Sequence, residues 1–100
     1  MRYTRRFKFN KTSRPETLTT EYKAWRAAIV KRDRHKCQMP NCKKRGQESH
    51  HIIPWHTSVH LRYVVDNGIL LCKGCHKSIK NKEQYYILIF SEIVRRKKEQ

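Results

Sequence analysis

The sequence predicts a small α+β protein, and three observations support this fold class. Two segments at about residues 19–34 and 83–98 carry apolar side chains at helical spacing. Two short extended runs lie between them, in the middle of the chain. Two pairs of cysteines bracket these runs and could anchor them on one metal ion. A chain of 100 residues suits one domain with a modest core, which such an anchor would stabilise.

The composition favours a polyanionic partner. The chain has 24 Lys and Arg against 8 Asp and Glu, a formal net charge of +16. Nucleic acid is the expected partner, because each neutralised phosphate releases counterions, and an anionic membrane surface is the competing one. No apolar run approaches the roughly 20 residues that span a bilayer, and no segment has the pattern of a signal peptide. We therefore expect a cytoplasmic protein that binds nucleic acid, has no membrane association and keeps its cysteines reduced.

The first eighteen residues are predicted to form a basic flexible arm, followed by one domain over residues 19–100. Residues 1–15 contain six basic residues and no acid, with aromatic side chains between them. Such an arm could lie along phosphates, and a solvated tail is an equally good interpretation.

The two outer segments are predicted to be amphipathic helices. In residues 19–34, Thr19 or Thr20 can cap the start. An apolar stripe on this helix predicts packing against the core rather than a binding surface; it consists of Tyr22, Trp25 and Ile29. The C-terminal helix, residues 83–98, has an apolar face formed by Tyr86, Ile89, Phe90, Ile93 and Val94.

The domain core, residues 35–82, is predicted to contain a hairpin and a short helix. The first extended run is Glu48–Ile53, which Pro54 ends. A helical turn is expected near residues 61–65, and Asn67-Gly68 predicts a tight turn. Ile69–Leu71 is the second strand, and residues 72–80 turn into a helix.

The four cysteines predict a metal site. Cys37-x4-Cys42 and Cys72-x2-Cys75 lie about thirty residues apart, and each pair can come from a tight turn. Four sulfur ligands fit a tetrahedral Zn²⁺ with no open position, so we expect one structural zinc that supports folding. Four unrelated thiols or two disulfides are the alternatives. A metal here would hold the two ends of residues 43–71 together, so that this segment leaves the metal site and returns to it. We call it the excursion.

A second group of residues able to carry chemistry lies on that excursion or just after it. His50 and His51 are on the first strand, Asn67 precedes the second, and His76 follows Cys75. The hairpin is expected to bring residues 50–51 close to residue 67.

These residues carry a resemblance to a known family. The first element is the run His50-His51-Ile52-Ile53-Pro54, and the second runs from Asn67 through Gly68, Ile69, Leu70, Leu71, Cys72, Lys73, Gly74 and Cys75 to His76. In this order, interleaved with two cysteine pairs, they resemble the HNH endonuclease signature. The preceding helix, with Tyr22, Trp25, Arg26, Arg32 and Asp33, resembles the helix that flanks many small members. The resemblance covers about residues 20–80, and the small size is similar to phage and bacterial members.

The resemblance implies a ββα-metal fold and a metal-dependent DNA endonuclease that hydrolyses phosphodiester bonds. His51 corresponds to the general base and is able to take a proton from water near neutral pH. His50 and His76 correspond to ligands of a catalytic divalent ion, either Mg²⁺, Mn²⁺, Ni²⁺ or Zn²⁺. Asn67 corresponds to the central Asn, which either braces the hairpin or joins the metal shell.

Several alternatives stay open at this point. Neighbouring residues on a strand point to opposite faces, so His50 and His51 converge only if the strand bends or the metal sits at its edge. His76 could instead join the cysteine site. A non-catalytic zinc-knuckle module that binds nucleic acid is the rival function.

The basic residues are expected to contact DNA, but they do not indicate which DNA sequence is recognised. No separate recognition domain is seen, so specificity is expected to be low or supplied by a partner protein, and the oligomeric state is not predicted. The expected DNA-binding residues are Arg26, Lys43, Lys44, Arg45, Lys73, Lys77 and Lys80.

Overall fold

The computed structural model describes residues 19–99, so the predicted basic arm of residues 1–18 lies outside the described residues. The described chain is a small α+β domain with a two-stranded antiparallel sheet, as the sequence predicts. Two 3₁₀ turns, Val59–Leu61 and Val65–Asn67, precede the second strand. The elements are α1 (Thr20–Arg32), β1 (Glu48–His51), β2 (Gly68–Leu71), α2 (Lys73–Ser78) and α3 (Glu83–Lys98).

Helix α1 begins at the predicted cap. The Thr19 hydroxyl accepts a hydrogen bond from the Tyr22 N–H at 3.0 Å, which satisfies one of the unpaired donors of the first turn. Trp25 and Ile29 are buried, as their spacing predicts. The helix ends at Arg32, two residues before the predicted end, because Arg34 and His35 adopt positive φ angles of 55° and 63°.

The two strands pair in a register that places His50 opposite Ile69 and His51 opposite Gly68. Strand β1 ends at His51 rather than at the predicted Ile53. The reason is that the backbone of Ile53 pairs with the Asn67 side chain instead of with β2.

All four residues of β2 are buried, because helices cover both faces of the sheet. Leu70 packs with Trp25 and Ile29 of α1 on one face. Ile69 and Leu71 pack on the other face with residues of α3, chiefly Phe90 and Val94. The two strands therefore separate the hydrophobic core into two parts, one under α1 and one under α3.

The tight turn predicted at Asn67-Gly68 is wrong. Asn67 ends a 3₁₀ turn and Gly68 begins β2 in an extended conformation, with φ −130°. The strands are instead connected by the longer excursion of residues 52–67. Glycine is required at this place by the approach of α1, since a Cβ on Gly68 would lie 2.6 Å from Cζ2 of Trp25 and closer still to Cδ1 of Ile29.

The last helices follow the predicted boundaries closely. Cys72 caps α2, and α3 coincides with the predicted residues 83–98. Over residues 19–99, no helix has both the length and the apolar character needed to cross a membrane.

We predict that Gly68→Ala destabilises the domain, because its methyl group would overlap Ile29 and Trp25. Overpacking of this kind costs about 1–3 kcal/mol of unfolding free energy, measurable by chemical denaturation. Gly74→Ala is the control, since a Cβ there meets only the Cys72 sulfur at 4.0 Å. Equal stability of the two variants would contradict the close packing of α1 on β2.

Candidate active site and cysteine cluster

The four cysteines converge on one point. The Sγ atoms of Cys37, Cys42, Cys72 and Cys75 all lie within 4.8 Å of one another, and those of Cys42 and Cys72 are 3.9 Å apart. Four sulfurs at 2.3 Å from one tetrahedral ion would be separated by about 3.8 Å. The cluster is therefore able to bind a metal, and it closes the excursion of residues 43–71 as the spacing predicts.

Local backbone structure presents each pair of sulfurs. The N–H of Cys37 donates to the carbonyl of Lys44 at 3.0 Å, and the N–H of Cys42 donates to the carbonyl of Met39 at 3.0 Å. These two bonds form the first knuckle. In the second knuckle, the N–H of Cys75 donates to the Sγ of Cys72 at 3.4 Å, at the start of α2.

The acidities of the thiols differ within the cluster. The backbone N–H of Cys75 lowers the pKa of Cys72 to about 7. Burial raises the pKa of Cys75 and of Cys37. Four thiolates so close together would repel one another, so a cation is the group that this donor set fits.

The strand β1 sends its two histidines to opposite faces, as alternation requires. His50 is 7% exposed and lies on the α3 side, where its ring centroid is 5.4 Å from that of His76 and 5.7 Å from that of Phe90. Burial, with help from the neighbouring His76, lowers the pKa of His50 to about 4. Its buried Nε2 has no hydrogen-bond partner in the described part of the chain. An orphaned neutral imidazole nitrogen is a suitable metal ligand.

His76 is oriented by a residue that the sequence analysis missed, Glu48. The carboxylate of Glu48 contacts Nδ1 of His76. A carboxylate accepts, so Nδ1 carries the proton and the lone pair of His76 is on Nε2. This carboxylate–imidazole arrangement is the usual support of a metal-ligating histidine. The signal was present in the sequence, since Glu48 is two residues before His50 and hence on the same face of β1.

His51 lies on the α1 side of the hairpin. Its ring stacks on Trp25 with centroids 4.0 Å apart and planes 13° from parallel. Its Nε2 is 2.9 Å from the carbonyl oxygen of Arg62. A carbonyl only accepts, so Nε2 carries the proton and the basic lone pair of the neutral ring is on Nδ1. The helical spacing of Trp25 predicts only its packing in the core. In the structure, Trp25 also contacts the His51 ring.

Asn67 is 6% exposed and ties two parts of the excursion together. Its Oδ1 accepts from the N–H of Ile53 at 2.8 Å. Its Nδ2 donates to the carbonyls of Ile53 and Leu61 at 3.1 and 3.2 Å. Both amide atoms are thus used within the fold.

The basic residues predicted to contact DNA fall into three places. Lys73, Lys77 and Lys80 line a cleft of about 730 Å³ together with Glu48 and His76. The exposed group Lys43, Lys44 and Arg45 follows Cys42 on the first knuckle. Arg26, on α1, donates to the carbonyl of Gln47 at 2.8 Å. The structure therefore brings three of the seven next to His76.

We predict that Asn67→Asp destabilises the domain. The carboxylate cannot donate to the carbonyls of Ile53 and Leu61, and its oxygen would be repelled by both carbonyl oxygens. We expect the free energy of unfolding to fall by about 3 kcal/mol. Thermal unfolding measures this loss. Asn81→Asp is the control, because Asn81 is exposed and its φ of 69° is tolerated by Asp. Unchanged stability of Asn67→Asp would contradict the bracing contacts.

Comparisons with known proteins agree with this arrangement. Residues 37–82, which contain both cysteine pairs and the residues His50, His51, Asn67 and His76, match the model of the HNH endonuclease family. A solved structure, the crystal structure of the HNH endonuclease of the deep-sea thermophilic bacteriophage GVE2 with manganese ion, is similar to this chain with a TM-score of 0.60 and 27% sequence identity. The similarity covers 69% of this chain and 80% of that one. No protein with a curated description matches the chain. In sequence over residues 37–82, and in fold over most of the described chain, the protein thus resembles the HNH endonucleases.

Proposed function

We propose that this protein is a metal-dependent endonuclease that hydrolyses the phosphodiester bonds of DNA, by nicking or by double-strand cleavage. The observation that carries the proposal is the geometry of His51, whose Nε2–H donates to the carbonyl of Arg62 and which directly follows His50 on β1, the strand residue that meets His76. The match of residues 37–82 to the HNH endonuclease family, the manganese ion in the similar phage enzyme and the net charge of +16 support it.

His51 is the proposed general base. With Nε2 protonated by its bond to Arg62, the ring takes a proton from water through Nδ1. The stacked Trp25 limits rotation of the ring, and its own Nε1–H donates to the carbonyl of Val64 at 2.9 Å. The imidazole is therefore held by contacts on its edge and on its face, which is the preorganisation that proton transfer needs.

His50 and His76 are the residues that would hold the catalytic divalent ion, through the buried Nε2 of His50 and the Nε2 of His76. When bound, Mg²⁺, Mn²⁺, Ni²⁺ or Zn²⁺ would supply Lewis-acid stabilisation of the departing 3′ oxygen. Glu48 keeps the His76 proton on Nδ1, and the imidazole donors favour Mn²⁺, Ni²⁺ and Zn²⁺ over Mg²⁺ in affinity.

The opposite orientation of His50 and His51 suits this chemistry. The attacking and leaving oxygens of a displacement at phosphorus lie roughly in line, on two sides of the phosphate. A base on one face of β1 and a metal site on the other can serve these two oxygens if the phosphate sits at the strand edge. Convergence of the two rings on one face is then unnecessary.

Asn67 has the bracing role in this proposal rather than the ligand role. Its three hydrogen bonds occupy both amide atoms, and metal ligation by Oδ1 would compete with the 2.8 Å bond from Ile53. The brace holds the loop that carries Arg62, the partner of His51.

The cysteine cluster would hold one structural Zn²⁺. Four thiolates leave the ion no open position, so its contribution is to folding. Reduced thiols are needed for this, which fits a cytoplasmic location.

DNA binding is proposed to be sequence-tolerant. Lysines beside His76 supply phosphate contacts, which position the duplex without reading its bases. A partner protein could add target specificity. The contacts proposed are those of Arg26, Lys43, Lys44, Arg45, Lys73, Lys77 and Lys80.

We predict that His51→Ala cleaves supercoiled plasmid at least about 100-fold more slowly than the wild type with Mn²⁺, Mg²⁺ or Ni²⁺, because the base is lost. Agarose gels resolve the nicked and linear products. His35→Asn is the matched control, since it removes an exposed imidazole from another part of the surface and Asn accepts the positive φ at this position.

Two results would overturn the assignment. Wild-type cleavage rates in His51→Ala would remove His51 as the base. A wild type that binds DNA but cuts it with none of these metals would instead establish the zinc-knuckle binding module.

We predict that Cys72→Ser is largely unfolded at 25 °C. A structural zinc contributes on the order of 10 kcal/mol to the folding of a small domain, which is comparable with its whole stability. Circular dichroism and zinc content measured on the same sample test this, with His51→Ala expected to stay folded and zinc-loaded. Equal melting temperatures for Cys72→Ser and the wild type would exclude a structural metal.

A further inference from the structure

Arg62 is fixed next to the proposed general base by its own backbone. Its carbonyl oxygen is the acceptor for Nε2 of His51, at 2.9 Å. The same loop is fixed by Asn67, which donates to the carbonyl of the preceding residue, Leu61. Residue 62 therefore cannot move far without disturbing His51.

The side chain of Arg62 is held as well. Its Nε donates to the carbonyl of Trp55 at 2.9 Å, and its Cζ lies 4.2 Å from the centroid of the Trp55 ring. That indole also meets the His51 ring in an edge-to-face contact, with centroids 5.5 Å apart. The Arg62 guanidinium and the His51 imidazole therefore both contact the Trp55 ring. Stacking on an aromatic ring restricts the orientation of the guanidinium plane.

The guanidinium of Arg62 has no acidic partner in the described residues. Arg32, Arg95 and Arg96 each pair with a carboxylate of the chain. The side chain of Arg62 has one hydrogen bond, from Nε, and its two terminal nitrogens donate to no group within residues 19–99. An oriented fork of N–H donors without a carboxylate is suited to bind a phosphate.

We propose that Arg62 is a further catalytic residue, whose terminal nitrogens bind a non-bridging oxygen of the scissile phosphate. This inference rests on the nuclease function proposed above. Negative charge on the non-bridging oxygens grows when water attacks phosphorus, so a preorganised cation there stabilises the transition state more than the bound substrate. Trp55 acts as a positioning residue, because it holds Arg62 by its carbonyl and its ring.

A purely structural role is the competing explanation, in which Arg62 only packs the loop against Trp55. The two roles differ in what they change. Loss of a transition-state contact lowers the rate of the saturated complex, whereas loss of packing lowers the melting temperature and disturbs DNA binding and catalysis together.

The experiment measures single-turnover cleavage of a short DNA duplex with Mn²⁺ at saturating enzyme, for the wild type, Arg62→Met and Arg62→Lys. Affinity for the same duplex is measured by fluorescence anisotropy without added divalent ion. Arg62→Met is expected to cleave about 100- to 1,000-fold more slowly, with Kd changed by less than about fivefold. Arg62→Lys should recover part of the rate, since it restores the charge but not the fork.

The control variant is Arg96→Met, which removes the same charge from an exposed position of α3. It should cleave at the wild-type rate, and all variants are checked for their melting temperatures. Trp55→Leu keeps the carbonyl but removes the stack, so it should lower the rate less than Arg62→Met does.

The remaining outcomes would overturn the proposal. These are an unchanged rate in Arg62→Met, a weaker Kd with a normal saturated rate, or a lower melting temperature with no recovery in Arg62→Lys. An inactive wild type would instead refute the nuclease function itself, together with this inference, whereas an active wild type with an Arg62-independent rate refutes only the role of Arg62.

Discussion

Side chains on a β-strand alternate between its two faces, and two adjacent histidines on β1 therefore need two different environments. His50 enters the side covered by α3, where it is buried against Phe90. His51 enters the side covered by α1, where it stacks on Trp25. A two-stranded sheet is too small to be stable with one face open to water. The helices that bury its faces are hence the same helices that give each histidine its surroundings.

The docking of α1 depends on a buried ion pair at its C-terminal end. The Asp33 carboxylate accepts from the guanidinium of Arg32 at 2.8 and 2.9 Å and from the backbone N–H of Leu70 at 3.0 Å. Arg32 also donates to the carbonyls of Val65 and Gly68. A buried charge is tolerable only when its partners are supplied in this way. These bonds join α1 to the start of β2, at the point where Gly68 allows close contact, and so they fix the Trp25 surface on which His51 rests.

Local patterns in the sequence were sufficient for much of this architecture. Helix α3 shows its apolar spacing over sixteen residues, and its bounds were predicted correctly. The cysteine spacing predicted a cluster that the fold assembles. The turn predicted at Asn67-Gly68 is wrong because the glycine serves a contact with α1, which is remote in sequence and has no local signature. The position of Arg62 beside His51 has no local signature either, since the bond between its carbonyl and His51 forms only in the folded chain. The catalytic and DNA-binding roles of the predicted residues stay predictions.

The cysteine cluster and the histidine pair are linked through α2. This helix has six residues, too few to be stable alone, and its first turn contains Cys75 and His76 in succession. A metal ion held by the four sulfurs would fix that turn, and with it the side of the helix that presents His76 to Glu48 and His50. His51, in contrast, depends on α1 and on the loop braced by Asn67. The proposed ligand side of the site therefore depends on the cysteine cluster more directly than the proposed base does. The two halves of the proposed chemistry are thus positioned by two separate parts of the fold, and the pairing of β1 with β2 holds these parts in register.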